Sequence, residues 1–261
     1  MSVNSYLNNI SSKLIITESE RSVIDNHITA LKNKLNAYFS SDKFIEHFAF
    51  GSYTRKTLMP RRADYKSDVD YMVVFKDNQY TTSTYLRWLR DFAEAKYTQS
   101  EIYQSHPTIV LELSRIKIEL VPAIKNFWDS YKIPAPASNY STWLTTSPNS
   151  FNSTLVKKNT SEKSLIRPLV RLMKYWNAQN GYVYSSFELE KLITDHSFYF
   201  CNNLWDYFRS FVSGLSIFNL SVVKSGKIKR LKEICSQAKK LEDDGYPISS
   251  ELEIEKAIPA Y

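Results

Sequence analysis

Four short apolar runs crowd into residues 44–124, and no further run of this kind follows them. FIEHFAF (44–50), VDYMVVF (69–75), TIVLEL (108–113) and RIKIELVPAI (115–124) have the length and the β-branched or aromatic content of strands. TTSTYLRWLRDFAEAKY (81–97), with a cap-like Thr-Ser start and an amphipathic pattern, predicts a helix among them. Residues 5–39 read as mainly helical, with Ile24, Ile28, Leu31 and Leu35 at helical spacing. After about residue 125 the texture changes. IPAPASNYSTWLTTSPNSFN reads as a long irregular crossing segment, followed by three helical stretches: SLIRPLVRLMKYWNAQN, SFELEKLITDHSFYFCNNLWDYFRSFV and IKRLKEICSQAKKLEDD. The pattern predicts an α+β chain: a lobe over 1–150 with a mixed sheet and N-terminal helices, then a helical lobe over 151–261, with a ligand cleft between them.

Composition narrows the chemistry. The chain has 261 residues, 43% apolar and 23% charged, which suits a soluble globular protein. No apolar run approaches a membrane span, and MSVNSYLNNISSKL lacks the pattern of a secretory signal, so a cytoplasmic location is expected. Cys201 and Cys235 are too few for a disulfide framework. The net charge of +7 favours an anionic partner such as a nucleotide. Only five glycines occur, at 51, 181, 214, 226 and 245, none near another. That excludes a P-loop and a Rossmann fingerprint, so phosphate must be held by another device.

The chemistry concentrates at Asp68-Val69-Asp70. Side chains alternate along a strand, so Asp68 and Asp70 share one face at its entrance. Neighbouring carboxylates repel unless a cation lies between them, and Mg²⁺ suits hard oxygen donors; a solvated polar strand entrance is the competing account. Glu119 lies between apolar Ile118 and Leu120 on a strand that could adjoin the first, and is either a third ligand or the partner of a nearby Arg or Lys. Gly51-Ser52 stands at a strand-to-helix turn, suited to phosphate approach or to plain helix capping. In SLIRPLVRLMKYWN, Leu165, Leu169, Leu172, Met173 and Trp176 form an apolar face, with Arg171 and Lys174 off it. Ser186 offers a hydroxyl beside Phe187, whose ring could stack on a base. His27, His47, His106 and His196 are scattered and read as structural, and KSGKIKRLK (224–232) as a solvated turn and helix start.

Taken in order, GS, D-V-D, I-E-L-V-P-A, LIRPLVRLMKYWN and SSFELE resemble the DNA-polymerase-β-type nucleotidyltransferases. More narrowly, the chain resembles the CD-NTase branch, relatives of cyclic GMP-AMP synthase and oligoadenylate synthetase that act in bacterial anti-phage signalling. The likeness runs from the N-terminal helices to KLEDDGYP. It implies a polymerase-β-like lobe plus a helical lobe, with Asp68, Asp70 and Glu119 catalytic and holding two Mg²⁺, Mn²⁺ substituting. It further implies nucleotide contacts from Gly51, Ser52, Lys174, Ser186 and Phe187. The implied activity is synthesis of a cyclic di- or oligonucleotide second messenger from NTPs. Alternatives are NMP transfer to a tRNA, protein or small molecule, and a weakly catalytic nucleotide- or RNA-binding regulator. The expected partners are NTPs, with no membrane and no DNA requirement, in a monomer whose effector meets only the product. Two departures stand out: Glu119 replaces the usual Asp, and the stretch from Ser52 to Asp68 is long and basic (Arg55, Lys56, Arg61, Arg62).

Overall fold

The computed structural model describes residues 2–76, 79–105, 107–127, 130–135 and 142–261. Contacts divide the chain into two compact units, Thr17–Leu58 with Lys66–Ser153, and Met1–Ile16 with Met59–Tyr65 and Thr154–Tyr261. The expected boundary near residue 150 is thus joined by others. Helix α1 (Val3–Lys13) explains the first, because it buries Val3, Tyr6, Leu7 and Ile10 in the core that the later helices build.

The first unit is built on a mixed sheet. Helix α2 (Glu18–Tyr38) starts at a capping box, Thr17 with Glu20, and leads to β1 (Phe44–Phe50). Short α3 (Gly51–Arg55) follows, then β2 (Val69–Phe75), α4 (Thr82–Lys96), β3 (Glu101–Ser105), β4 (Thr108–Glu112) and β5 (Lys117–Lys125). The order is β1-β2-β5-β4-β3, with β2 and β5 parallel and the other neighbours antiparallel. Tyr71, Val73 and Phe75, on one face of β2, are buried. Phe75 meets Phe39 at 5.6 Å and Tyr85 of α4 at 5.2 Å between ring centroids. Burying an aromatic or branched side chain of this size is worth about 1.5–3 kcal/mol. Met72 and Val74, on the other face, are buried as well, and Asp70, which shares their parity at the strand entrance, is half-buried.

Two strands depart from the expectation of an irregular segment. β6 (Tyr131–Pro134) pairs with the end of β5, and β7 (Trp143–Thr146) pairs with β6 from Tyr131↔Thr146 to Pro134↔Trp143. Pro134 is tolerated because it ends its strand. Residues 136–141 of that segment lie outside the described residues, as does His106. β3 and α5 (Pro148–Ser161) also escape the sequence reading: EIYQS is too polar to read as a strand, and α5 begins at a proline inside an apparent loop.

The second unit is helical: α1, part of α5, α6 (Ile166–Gln179), α7 (Ser186–Asp195), α8 (Leu204–Gly214), α9 (Val222–Asp243) and α10 (Pro247–Glu255). The stretch expected as one helix over SFELEKLITDHSFYFCNNLWDYFRSFV is two. Phe200 adopts φ +58° and Asn203 caps α8 by accepting from the Asp206 amide, so the chain stops and restarts there. KSGKIKRLK lies within α9, not at a turn; Lys227 donates to the Asn180 carbonyl, and Lys232 to that of Ser213 at 2.9 Å. Among the described residues, no helix is long and apolar enough to cross a membrane.

Candidate active site

The parallel pairing of β2 with β5 sets Asp70 against Glu119 in register, with Val69 against Ile118 and Tyr71 against Leu120. Asp68, one residue before β2, shares the parity of Asp70 and stands level with Lys117. Three acidic positions separated by up to 51 residues thus meet on one face of two adjacent strands. All three are half-buried.

Their electrostatics show the strain of that arrangement. Burial pushes the Asp68 carboxyl well above the usual carboxylate range, and the charges of Asp70 and Glu119 push it further. Lys117 works the other way. Its ammonium lies 2.9 Å from Glu119 Oε1 and 3.4 Å from Asp68 Oδ2, with 13% of its side chain exposed. Burial alone lowers the Lys117 pKa, but Glu119 and Asp68 outweigh it and the net shift is upward. The other oxygen of Glu119, Oε2, accepts from Thr108 Oγ1 at 3.2 Å. Lys117 and Thr108 are site residues that the motif reading missed. For Lys117 a signal was available, since the expectation that Glu119 pairs with a nearby Lys or Arg is met by the residue two positions earlier on the same face.

Gly51 closes one side of Asp70. It adopts φ +73°, and a Cβ built on it would lie 1.9 Å from Asp70 Oδ2. Pairing of Phe50 with Asp70 brings the end of β1 alongside the carboxylate before α3 begins. Ser52 is buried, and its carbonyl accepts from the amides of Thr57 at 2.9 Å and Leu58 at 3.1 Å. Those bonds fold the start of the basic stretch back on the turn. Arg55 is buried too, donating to Asn152 Oδ1 at 3.2 Å and lying over the Phe151 ring. Arg62 donates to the Tyr261 hydroxyl. Arg55 is thus built into the fold, while Arg62 is exposed and lies over the Tyr261 ring.

The residues expected in the helical lobe fare differently. α6 is buried on nearly every side from Leu169 to Asn177. Arg171 and Lys174 therefore do not lie off an apolar face: they are 6% and 5% exposed. Arg171 Nε donates to the Ser11 carbonyl at 3.1 Å, and burial pulls its pKa down to about 10. Lys174 Nζ sits 3.5 Å from Oε1 of Glu190, whose side chain is fully buried. The sequence signal for Glu190 was its place in SSFELE, where it reads as an ordinary surface acid. Ser186 and Phe187, at the start of α7, are exposed, and Ser185 rather than Ser186 caps the helix through the Glu188 amide.

Among the described residues, no three His, Cys, Asp or Glu side chains are gathered as a ready ligand group for a metal ion. The donor set nevertheless suits a hard divalent cation: Asp68, Asp70 and Glu119 offer only oxygen. The ammonium of Lys117 pairs with both Asp68 and Glu119.

Comparison with known proteins gives the family and the fold. Residues 1–159 match the family described as the Second Messenger Oligonucleotide or Dinucleotide Synthetase domain, SMODS. No curated protein sequence matches the chain. Among solved structures, CdnC of Escherichia coli MS115-1, described with ATP, superposes at a TM-score of 0.74 with 13% identity, covering 100% of this chain and 98% of that one. CdnG of Bradyrhizobium diazoefficiens, a CD-NTase in complex with GTP, gives 0.72 with 10% identity and 98% of each chain. The CdnE cyclic dinucleotide synthase of Elizabethkingia meningoseptica, with GTP and Apcpp, gives 0.66 with 20% identity, covering 80% of this chain and 82% of that one. At such identities the likeness speaks for the α+β nucleotidyltransferase fold.

Proposed function

The chain belongs to the family of Second Messenger Oligonucleotide or Dinucleotide Synthetase domains, and from that membership we propose that it is a divalent-metal-dependent synthase of a cyclic di- or oligonucleotide used in anti-phage signalling. Nucleotidyl transfer is the activity of the family. The observation that carries the finer reading is the register of Asp70 with Glu119 on parallel strands, with Asp68 beside them.

In this reading the 3′-hydroxyl of one nucleotide attacks the α-phosphate of another and pyrophosphate leaves. Asp68, Asp70 and Glu119 would hold Mg²⁺, or Mn²⁺ in its place, supplying the positive charge that stabilises the attacking and leaving oxygens. Glu119, with Oε2 near the Thr108 hydroxyl and Oε1 on Lys117, helps accept the hydroxyl proton. Gly51 leaves room for close approach beside Asp70, and Ser52 binds the donor's phosphates. Ser186 contributes to phosphate binding and Phe187, 53% exposed, offers a ring face to a base. Lys174 reaches a phosphate only by leaving Glu190. The reading places the enzyme in the cytoplasm as a monomer without a DNA requirement, its effector meeting only the product.

Labelling tests it. With α-³²P-NTP the product of a cyclase keeps its label after phosphatase treatment, and with γ-³²P-NTP it carries none. Phosphatase-sensitive product means linear oligonucleotides, and label on added tRNA or protein means single NMP transfer; either overturns the cyclic reading. Mass spectrometry of the mixed-NTP product then gives base and ring size.

A further inference from the structure

We propose that Lys117 is an internal counter-cation that competes with the divalent ion for Asp68 and Glu119, so that the acidic face loads weakly with free metal and fills when a triphosphate brings further oxygen ligands. The inference rests on the metal reading of the preceding subsection and deepens it. Lys117 precedes Glu119 by two residues on β5 and so shares its face, and the Val69↔Ile118 register sets it level with Asp68 on β2. The ammonium spans the two strands, 2.9 Å from Glu119 Oε1 and 3.4 Å from Asp68 Oδ2.

An ion bridging Asp68 and Glu119 would need those same oxygens, and it would meet a positive charge already there. Two cations do not share such a space without large repulsion, which grows as the surroundings become less like bulk water. A divalent ion doubles the charge on one side. Loading therefore requires the ammonium to move. A lysine can do so, because its charge is a compact group on a flexible four-carbon stem, whereas a backbone donor could not.

The same contact has a second consequence. Without metal, three carboxylates on one face repel. Lys117 supplies the opposing charge that lets β2 and β5 carry them side by side. The far oxygen of Glu119 lies 3.2 Å from the Thr108 hydroxyl, whose one proton is shared with the Ser105 carbonyl. In this respect Lys117 is a positioning residue: it keeps the empty site shaped and is exchanged for the ion.

The test is titration of the 261-residue chain with Mn²⁺ alone, followed by calorimetry and by electron paramagnetic resonance of free Mn²⁺, with thermal melts of the same samples. Lys117→Met, close in length but uncharged, is expected to tighten Mn²⁺ binding about tenfold or more. It is also expected to lower the metal-free melting temperature and to enlarge the upward shift on adding Mn²⁺. Lys117→Arg keeps the charge and is expected to stay near wild-type affinity. Lys117→Gln gives the same readout if the methionine variant does not fold. Unchanged or weaker Mn²⁺ binding in both neutral variants, while Asp70→Asn abolishes binding, overturns the inference and leaves the metal reading intact. If Asp68→Asn and Asp70→Asn leave Mn²⁺ binding unaltered, or neither the wild type nor the neutral Lys117 variants bind Mn²⁺, the metal reading fails and this inference with it.

Discussion

A side chain on Gly51 and the carboxylate of Asp70 would occupy the same space. A Cβ on Gly51 would lie 1.9 Å from Asp70 Oδ2 and 2.8 Å from Cγ, and the backbone there is left-handed at φ +73°. Glycine is needed twice at this position, once for its conformation and once for its lack of volume. Gly51→Ala should therefore push Asp70 off its position and lower turnover by about a hundredfold or more, the scale of displacing a catalytic group by about an ångström. Left-handed alanine costs on the order of 1–2 kcal/mol, so the variant should still fold. Retained turnover would show that Asp70 is not held against Gly51 in the working enzyme.

Asp68→Asn and Asp70→Asn should each abolish synthesis without lowering the melting temperature. At Asp68 the expectation is stronger, since burial and the adjoining Asp70 and Glu119 already disfavour its charge. Neutralising it relieves repulsion while the amide keeps the shape. A marked fall in metal-free stability would mean that the Lys117 pair outweighs that repulsion.

How much of this was legible in sequence follows from what each residue depends on. Strand parity is local, so Asp68, Asp70 and the outward face of Glu119 could be read directly, and the β2–β5 register then placed them together. The volume conflict at Gly51 could not, because it depends on how β1 ends against β2. Lys174 misled for another reason. An amphipathic count treats a lysine as solvent-facing, but α6 is enclosed on nearly every side, and its charge is met by Glu190, sixteen residues on. β6 and β7 were hidden by Pro, Ser and Asn, which suit a short edge ribbon as well as a loop.

Lys174→Ala accordingly should act on stability. Lys174 and Glu190 are 5% and 0% exposed and 3.5 Å apart, so truncating Lys174 removes a countercharge from a fully buried carboxylate. Breaking a buried pair from one side costs about 3–5 kcal/mol, whereas Lys174→Met with Glu190→Leu should recover most of it. Chemical denaturation of the two variants measures the difference. A single variant as stable as wild type, with only KM raised, would return Lys174 to phosphate binding.

Stability should also fall in mild acid through His47. Nδ1 lies 2.7 Å from the Tyr71 hydroxyl and Nε2 3.0 Å from Asn36 Oδ1, an arrangement that suits the neutral ring with Tyr71 and Nε2 as donors. Burial, and then the charge of Lys32, lower its pKa, so the unfolded chain takes up a proton first. The contribution is present above the unfolded value of about 6.5 and is lost as the pH falls through the lower folded value. Melts between pH 7.5 and 5 should show the drop, and His47→Gln should flatten part of it. His196, also lowered by burial and held 3.0 Å from Ser210 Oγ, accounts for a further part. An identical slope in His47→Gln would remove His47 from the account.

Glu119 separates the role of charge from that of reach. Its two oxygens are engaged by different groups, Oε1 by Lys117 at 2.9 Å and Oε2 by Thr108 at 3.2 Å. Glu119→Ala removes the carboxylate and leaves Lys117 with Asp68 as its remaining ion-pair partner, so turnover should be lost and metal-free stability should fall. Glu119→Asp keeps the charge but draws the carboxylate back by one methylene, beyond the reach of Thr108 from the present backbone. Partial activity is expected, with turnover reduced more than KM is raised, because the group acts on the reacting atoms rather than on ground-state binding. Thr108→Val should reproduce a milder form of the same defect by freeing Oε2. Full activity in Glu119→Ala would show that the third carboxylate lies elsewhere, and Glu112, paired with Lys117 across β4, is then the position to replace next.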